Sequence, residues 1–498
     1  MLKRNLIANY LGQGWAAIMG FAFIPVYIKY LGIESYGLIG LFGVLQAWLG
    51  LLDMGMTPTL SREMARFTGG IHSAMSIRDL LRSIEVVAVA VAVMIAAGVG
   101  FGASWLSTSW LQVEKLPVPV VAQAVVIMGA VTALRFVESI YRSSITGLQQ
   151  LVLLNILSSA MATIRGFGAV GILIWVSPTI EAFFLWQGVT GLVSLVMLAL
   201  ATYGALPKAE RSGRFSVEAL RGIWKFAGGM MGITLLALLL TTVDKMILTK
   251  LLTLSEYGYY TLASVVAGAL YVLAIPITTA WFPRLSQFHA SGDNVGLVTC
   301  YHQGAQLVSV IAGSAALVIM VNSETLLQLW TQDPSLAQRT APLLRLLVLG
   351  NLLNCLMWIP YQSQLAHGWT GLAVRTNIVA VTVIMPAILW VTPRYGAVGA
   401  AWVWVALNAC YCLIGIHFMY RRILKNEKWL WYRQDLLKPL IAATIVVMVV
   451  KWLLPNPATI LSQFCTLIFA SVLTLIAAAL AAQLIRKQIL AATISFLD

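Results

Sequence analysis

Charge is what this sequence has least of. Asp, Glu, Lys and Arg make up 10% of its 498 residues, against 60% hydrophobic ones, where a soluble domain carries about 25% charged and about 45–50% apolar residues. That scarcity excludes a water-soluble enzyme built around one large core, because apolar stretches of membrane-spanning length recur from end to end. It excludes disorder as well, and glycine, at 39 residues, is too ordinary for a fibrous class. Cysteine is scarce. Cys300, Cys355, Cys410, Cys412 and Cys465 include no CxxC pair, and Cys410 and Cys412, two apart on a helix, point to different faces. All five read as small packing residues that imply no disulfide and no metal. The five histidines show no HExxH or other ligand spacing, and no phosphate loop or catalytic cluster is present. The expectation is no cofactor, no metal, no enzymatic activity and no ATPase of its own.

What is present is hydrophobic length. A hydrocarbon core about 30 Å thick takes roughly 20 mostly apolar residues per helix. Breaks at charge clusters and Pro/Gly turns predict fourteen spans, at 6–28, 37–60, 84–108, 118–141, 152–176, 180–203, 223–249, 257–281, 304–322, 340–364, 371–392, 396–420, 439–454 and 459–485. The fold class is therefore an all-α polytopic membrane protein with no room for a soluble domain. Lys3 and Arg4 followed by an apolar run mimic a secretory signal. Asn5, Asn9 and Gln13 interrupt the run and no small-residue cleavage pattern follows, so it reads as the first helix.

The net charge of +14 would suggest nucleic acid in a soluble protein. Here it reads as topology. One side of the predicted map holds Lys3 and Arg4, then Arg62, Arg66, Arg78 and Arg82, then Arg142. It also holds Lys208, Arg211, Arg214, Arg221 and Lys225, then Arg284, and a last loop with Arg421, Arg422, Lys425, Lys428, Arg433 and Lys438. Arg486 and Lys487 bring that side to 21 of the 32 Lys and Arg. The other side holds six: Lys29, Lys115, Lys250, Arg339, Arg394 and Lys451. The positive-inside rule then places both termini in the cytoplasm, and nucleic acid is not needed as a partner.

An internal repeat divides the chain. Lys29–Gly37 (KYLGIESYG) follows the first span and Lys250–Gly258 (KLLTLSEYG) the seventh, 221 residues later. Tyr141-Arg-Ser-Ser with Asn155 matches Tyr361-Gln-Ser-Gln with Asn377 at nearly the same shift. The implied organisation is a six-helix bundle over 1–205, a second over 206–420 and a terminal helix pair over 421–498. Two like bundles about an axis along the membrane normal are a transporter plan.

Charges well inside the spans are few: Asp53, Arg135, Glu138, Arg165, Asp244, Lys245, Arg345 and Arg375. Each costs at least about 2.5–3.5 kcal/mol to insert and so needs a partner, water or a use. Arg165 is the most central and least able to snorkel. Arg135 and Glu138, three apart on one helix, can pair with each other, and Arg345 and Arg375 lie near helix ends where snorkelling is open to them. Polar stripes accompany these charges: Gln46, Gly50 and Asp53; Asn5, Asn9 and Gln13; Lys245 with Thr242 and Thr249, and Asp244 with Thr241. A fourth is Asn351, Asn354, Trp358 and Tyr361. Stripes of this kind either glue helices together or line a wet cavity. The internal prolines Pro25, Pro276, Pro360 and Pro386 fit bending spans.

Several stretches carry a family resemblance. Lys3–Tyr10 (KRNLIANY), Pro25–Gly32 (PVYIKYLG), Tyr36-Gly37, Leu52–Gly55 (LDMG) and Ser61–Arg66 (SREMAR) resemble the polysaccharide transporters of the MOP superfamily, and among them the Wzx-type flippases. The likeness is strongest over the first 70 residues. It implies MATE-like six-helix bundles in the bacterial inner membrane. The implied activity is transfer of an undecaprenyl-pyrophosphate-linked oligosaccharide, such as an O-antigen unit of lipopolysaccharide, from the cytoplasmic to the periplasmic leaflet. On that reading Arg165, Arg135, Arg345, Arg375 and Lys245 are candidates to pair with phosphate. Asn351, Asn354, Trp358 and Tyr361 are candidates for sugar contact, and Asp53, Glu138 and Asp244 for ion coupling. The implied partners are the lipid-linked substrate, the bilayer, a glycan polymerase and a chain-length regulator. A multidrug/cation antiporter of the same superfamily and a non-transporting scaffold for glycan assembly are the alternative readings.

Overall fold

The computed structural model describes residues 2–68, 70, 72–207, 211–369, 371–454 and 459–489, without the side chains of 2–10, 222–230, 232–234, 236–237, 240–241 and 373. Asn5, Asn9 and Thr241 of the expected stripes, and Lys3, Arg4, Lys208 and Lys225, lie outside the described side chains.

Among the described residues the chain is helical with no strand, as lipid requires of a backbone that must satisfy its own hydrogen bonds. It forms two compact units, Met1–Gly258 and Tyr259–Asp498. The first contains α1 (Leu2–Ala22), α2 (Ile24–Leu49), α3 (Met56–Thr68), α4 (Ala74–Trp105), α5 (Val118–Gly147), α6 (Leu151–Trp175), α7 (Ile180–Ala205), α8 (Val217–Leu251) and the start of α9 (Leu254–Ala290). The second contains the rest of α9, then α10 (Asn294–Val321), α11 (Ser323–Thr331), α12 (Pro334–Leu356), α13 (Trp358–Ala366) and α14 (Gly371–Cys410). It ends with α15 (Ile416–Arg422), α16 (Lys428–Leu430), α17 (Lys438–Leu453) and α18 (Ile460–Ala481).

Helix starts follow local chemistry. Ser73, Thr179, Ser216, Asp293, Asp333 and Thr459 each accept a backbone N–H of the first turn that follows, worth about 1 kcal/mol apiece. Asp333 shows the electrostatic consequence. The N–H groups of Leu336 and Ser335 hold its carboxyl below the usual range, against a smaller opposing effect of burial.

Eleven stretches among the described residues are long and apolar enough to cross a membrane. α1 and α8 are not among them, and Val374–Arg422, counted once, is broken at Gly396 (φ 59°, ψ −150°). The expected fourteen differ from the eleven by these three. Gly396, like Gly32 in α2 (φ 80°, ψ 165°), adopts a backbone that a β-carbon would strain.

Two expectations are corrected locally. The second span was expected to run to 60, but α2 gives way at Gly50–Asp53 to a tight turn with Met54 left-handed (φ 50°), and α3 starts afresh. The thirteenth span was expected to be short, at 439–454, after a basic loop. Helix instead begins at Lys428 and passes through wide π turns over Trp431–Leu437 into α17, burying Trp431 and Asp435.

The core of the first unit joins Leu60 and Met64 of α3 to Ile77, Leu81 and Ile84 of α4 and Phe136 and Ile140 of α5. In the second unit, α10, α17 and α18 meet at Val310, Ala443, Ala478 and Ala482, small side chains that let helices approach closely. Many large apolar side chains face outward, with Phe101 90% exposed, Trp175 83% and Trp452 79%, which suits lipid and not water.

Candidate functional site

In the first unit, four helices bring polar groups together. Arg135, Glu138 and Arg142 lie on one face of α5, and Gln187, Thr190 and Ser194 repeat the same spacing on α7. Arg135 donates to Gln46 Oε1 of α2 and to Gln187 Oε1, both at 3.0 Å, and its guanidinium lies 5.0 Å from the Phe42 ring centroid. Glu138 does not pair with Arg135 as its spacing allowed. It accepts from Arg142 at 2.9 Å and from Ser194 at 3.0 Å. Arg142, expected in a loop, also donates to Ser158 of α6 at 2.9 Å.

Arg165 on α6 is left over. None of the ion pairs among the described residues includes it, and its Nε is buried without a hydrogen-bond partner. Its electrostatic neighbours are Glu138, Arg142 and Tyr27, and Arg135 lies within range of it. The backbone around it is fixed by close packing: Gly166 lies under the Phe23 ring and Gly168 under the Trp186 ring, whose Nε1 donates to the Arg165 carbonyl at 3.3 Å. A half-buried guanidinium with an orphaned Nε and no ion-pair partner among the described residues has donors that an anion could take up.

The other expected residues scatter. Asp53 does not share a stripe with Gln46. It sits at the helix break and accepts from Thr57 N (3.1 Å) and Thr57 Oγ1 (2.5 Å), which makes it the cap of α3. Asp244 and Lys245, half-buried on α8, influence one another electrostatically. Thr242 and Thr249 donate to carbonyls of their own helix, and Thr249 accepts from Trp110 Nε1 at 3.1 Å. Arg345 is exposed and donates to Ser323 at 2.7 Å.

The second unit gathers amides and aromatics. Asn351 accepts from Tyr271 OH (3.0 Å) and Trp404 Nε1 (2.9 Å). Asn354 donates to Asn408 at 2.8 Å and accepts from Trp358 at 3.0 Å, and the Trp358 ring stacks on Tyr271 at 5.4 Å and 11°. Trp358, Tyr361 and Asn354 line a cavity of about 200 Å³ with Gln364, Thr376 and Asn377. Arg375 is exposed beside it.

Sequence reasoning missed several members. Gln187 and Ser194 were legible as polar residues seven apart on an apolar helix. The largest omission is a buried cluster in the second unit. His302 hydrogen-bonds Asp435 through Nδ1 and Glu427 through Nε2 (3.2 Å), while Gln306 donates to Asp435 at 2.9 Å. The signal was His302 and Gln306 one helical turn apart, with Glu427 and Asp435 as the two acids of a mostly basic stretch. Among the described residues no group of three His, Cys, Asp or Glu is placed to hold a metal ion.

Comparison with known proteins adds a lineage. The family described as Polysaccharide biosynthesis protein matches residues 2–289, and the family described as MatE matches residues 230–391. A protein of Shigella flexneri named "Putative O-antigen transporter" is 20% identical over 414 residues, covering 80% of this chain and 93% of that one. The fold is similar to a solved structure of the lipid II flippase MurJ in an inward closed conformation. That match has a TM-score of 0.71 and 12% identity, over 96% of this chain and 98% of that one. It is also similar to an inward-facing multidrug resistance MATE family transporter of the MOP superfamily, with TM-score 0.66 and 15% identity over 82% and 94% of the two chains.

Proposed function

The chain belongs to the polysaccharide biosynthesis protein family, and from that premise we propose that it is a transporter, not an enzyme, and moves a lipid-linked oligosaccharide across the bacterial inner membrane. The cargo on this reading is an oligosaccharide on an undecaprenyl pyrophosphate carrier, taken from the cytoplasmic to the periplasmic leaflet by alternating access, with both termini cytoplasmic. The observation that carries the reading is Arg165, a half-buried cation whose Nε is buried without a partner in a membrane helix where each unpaired charge costs kilocalories. A diphosphate offers the bidentate oxygens such a guanidinium lacks, while the lipid tail stays in hydrocarbon. Division of labour supports it too. The first unit gathers charge around α5, and the second gathers amides and aromatic rings around α12 and α13, the kind of surface that holds a neutral sugar through hydrogen bonds and apolar ring faces.

Ion coupling falls to Asp244 on this reading, because Glu138 is engaged by Arg142 and Ser194 and Asp53 caps α3. The likeness of fold to a multidrug transporter and the MatE match favour a second reading, export of a drug or cation. The excess of buried arginine over free carboxylate in the first unit opposes it. Purified protein in liposomes distinguishes the two. Movement of a fluorescent polyprenyl-diphosphate sugar to the opposite leaflet is expected. Its absence, together with uptake of a cationic dye, would overturn the assignment.

A further inference from the structure

The break at Gly396 folds α14 so that its two arms run side by side, and Tyr411 OH donates to Asn377 Oδ1 across them at 3.3 Å. Between the arms lies a groove of about 600 Å³, lined by Val379, Val383 and Ala387 on one side and Val403, Ala406 and Phe418 on the other. Its lining on the first arm runs from Leu372 to Ala387, about 22 Å at 1.5 Å per residue, which is most of the hydrocarbon thickness of about 30 Å.

Apolar surface is ordinary on a membrane protein and says nothing alone. This groove differs at one end. Arg375, Thr376 and Tyr411 close it, and Leu372, Thr376, Tyr411 and Gly415 also form a wall of the 200 Å³ polar cavity of Asn354, Trp358 and Tyr361. The two spaces therefore meet at a shared neck. The second arm passes the neck in wide π turns at Tyr411–Gly415, a distortion common at functional sites. A β-carbon built on Gly415 meets nothing within 4 Å, so the neck is open. Arg375 is exposed there and, among the described residues, belongs to no ion pair.

We propose that the arms of α14 hold the polyprenyl tail of the substrate, with Arg375 on the diphosphate at the neck and the first sugar in the polar cavity. The site rests on the flippase reading and deepens it. The matching amphiphile has one long apolar chain, an anionic link and a hydrogen-bonding, ring-shaped head. A glycerophospholipid supplies the chain and the anion but leaves the aromatic cavity without an occupant, so the tail of a lipid-linked sugar is the occupant that fits both spaces.

The test uses full-length protein in liposomes and undecaprenyl-diphosphate N-acetylglucosamine with a photoreactive diazirine in its tail, scored for both labelling and flipping. Labelled peptides are expected from 372–387 and 403–418. Unlabelled polyprenyl-diphosphate sugar should compete and phosphatidylglycerol should not. Ala406→Trp, at an exposed groove position, and Gly415→Leu should each lower labelling and flipping about tenfold, the worth of roughly two buried methylenes. Leu461→Trp on the exposed surface of α18 should change neither. Labelling of other helices by a protein that still flips the probe would overturn the groove and leave the flippase reading standing. Equal competition by phosphatidylglycerol would reassign the groove to bulk lipid. Wild-type protein that neither binds nor flips the probe would remove the flippase reading itself, and the groove with it.

Discussion

Gly37 and Gly258 make the same contact in mirror order. A β-carbon on Gly37 would collide with the carbonyl oxygen of Leu254, and one on Gly258 with the carbonyl oxygen of Ile33. Ile33 and Leu254 are 221 residues apart, as are Gly37 and Gly258. The repeat seen in the sequence is thus reciprocal in space, with the start of α9 and the second arm of α2 packed backbone to backbone at paired glycines. Gly37→Val or Gly258→Val should lower stability by about 1–3 kcal/mol through overpacking. Gly43→Ala, where a β-carbon meets nothing within 4 Å, should not. Melting of the detergent-purified protein is the measurement, and equal melting of all three variants would show the contact to be loose.

Replacing Arg165 by Ala should leave insertion normal and stall export, because the anion loses a charge-assisted hydrogen bond worth about 1.5–3 kcal/mol, roughly a ten- to hundredfold loss of rate. Arg165→Lys keeps the charge without the fork and should retain part of the activity. Surface glycan is scored against the amount of protein in the membrane. Normal glycan from the alanine variant would take Arg165 out of the mechanism.

Arg135 depends on two amides rather than a carboxylate. Gln187→Leu should strand one of its amino groups and cost about 1–3 kcal/mol of stability, seen as a lower melting temperature. Gln187→Glu supplies a carboxylate at the same place and should restore or exceed wild-type stability while reducing transport, since a buried anion would then compete with the substrate for Arg135. A glutamate variant that transports normally contradicts an anion-binding role for this arginine.

His302 and Asp435 tie α10 to the helical turns that precede α17. Breaking a buried pair by removing one partner costs about 3–5 kcal/mol. His302→Ala and Asp435→Ala should each destabilise strongly, and the double variant should be less harmful than the sum, as coupled neighbours are. Strict additivity in a melting series would mean that the two side chains do not act together.

The turn after α3 should carry a pH dependence. Burial raises the Glu63 pKa, but hydrogen bonds and charge from His72 and Arg66 outweigh it and hold the carboxyl below its ordinary value. A depressed folded-state pKa stabilises above the unfolded value of about 4.3 and loses that contribution as pH falls through the folded one. Glu63→Gln should therefore melt lower than wild type at pH 7, with the gap closing on acidification below about pH 4. A gap that persists unchanged at low pH would assign the effect to packing alone.

Much of this was legible along the chain. The scarcity of charge announced membrane helices, and the Tyr-Gly repeat picked out Gly37 and Gly258, which pack reciprocally. Arg165 stood out as the cation furthest from the ends of its expected span, although in the structure Arg135 lies deeper within its helix. The stripe of Asn351, Asn354, Trp358 and Tyr361 does gather at one place, with its rings and amides bonded across three helices. The stripe of Gln46, Gly50 and Asp53 dissolved, because the helix ends before Asp53 and periodicity beyond a break has no meaning. Asp435 escaped notice because its neighbours Arg433 and Lys438 made the segment read as a loop. Hydropathy averages over a window and cannot register a helix that continues through π turns with one acid turned inward.

The sequence by itself determined the solvent, the secondary structure and the short roster of charges that had to be explained, since each of those follows from local hydrophobicity and the energy of an unpaired group in lipid. Which cation takes the Glu138 carboxylate was decided only in three dimensions. Glu138 lies three residues from Arg135 and four from Arg142 on the same helix face, so spacing allows either pairing. It goes to Arg142, while Gln46 and Gln187, from two other helices, hold Arg135, so neither Arg135 nor Arg165 enters an ion pair among the described residues. A periodic pattern fixes the neighbours along one helix, whereas the partners across helices depend on packing that no single helix encodes.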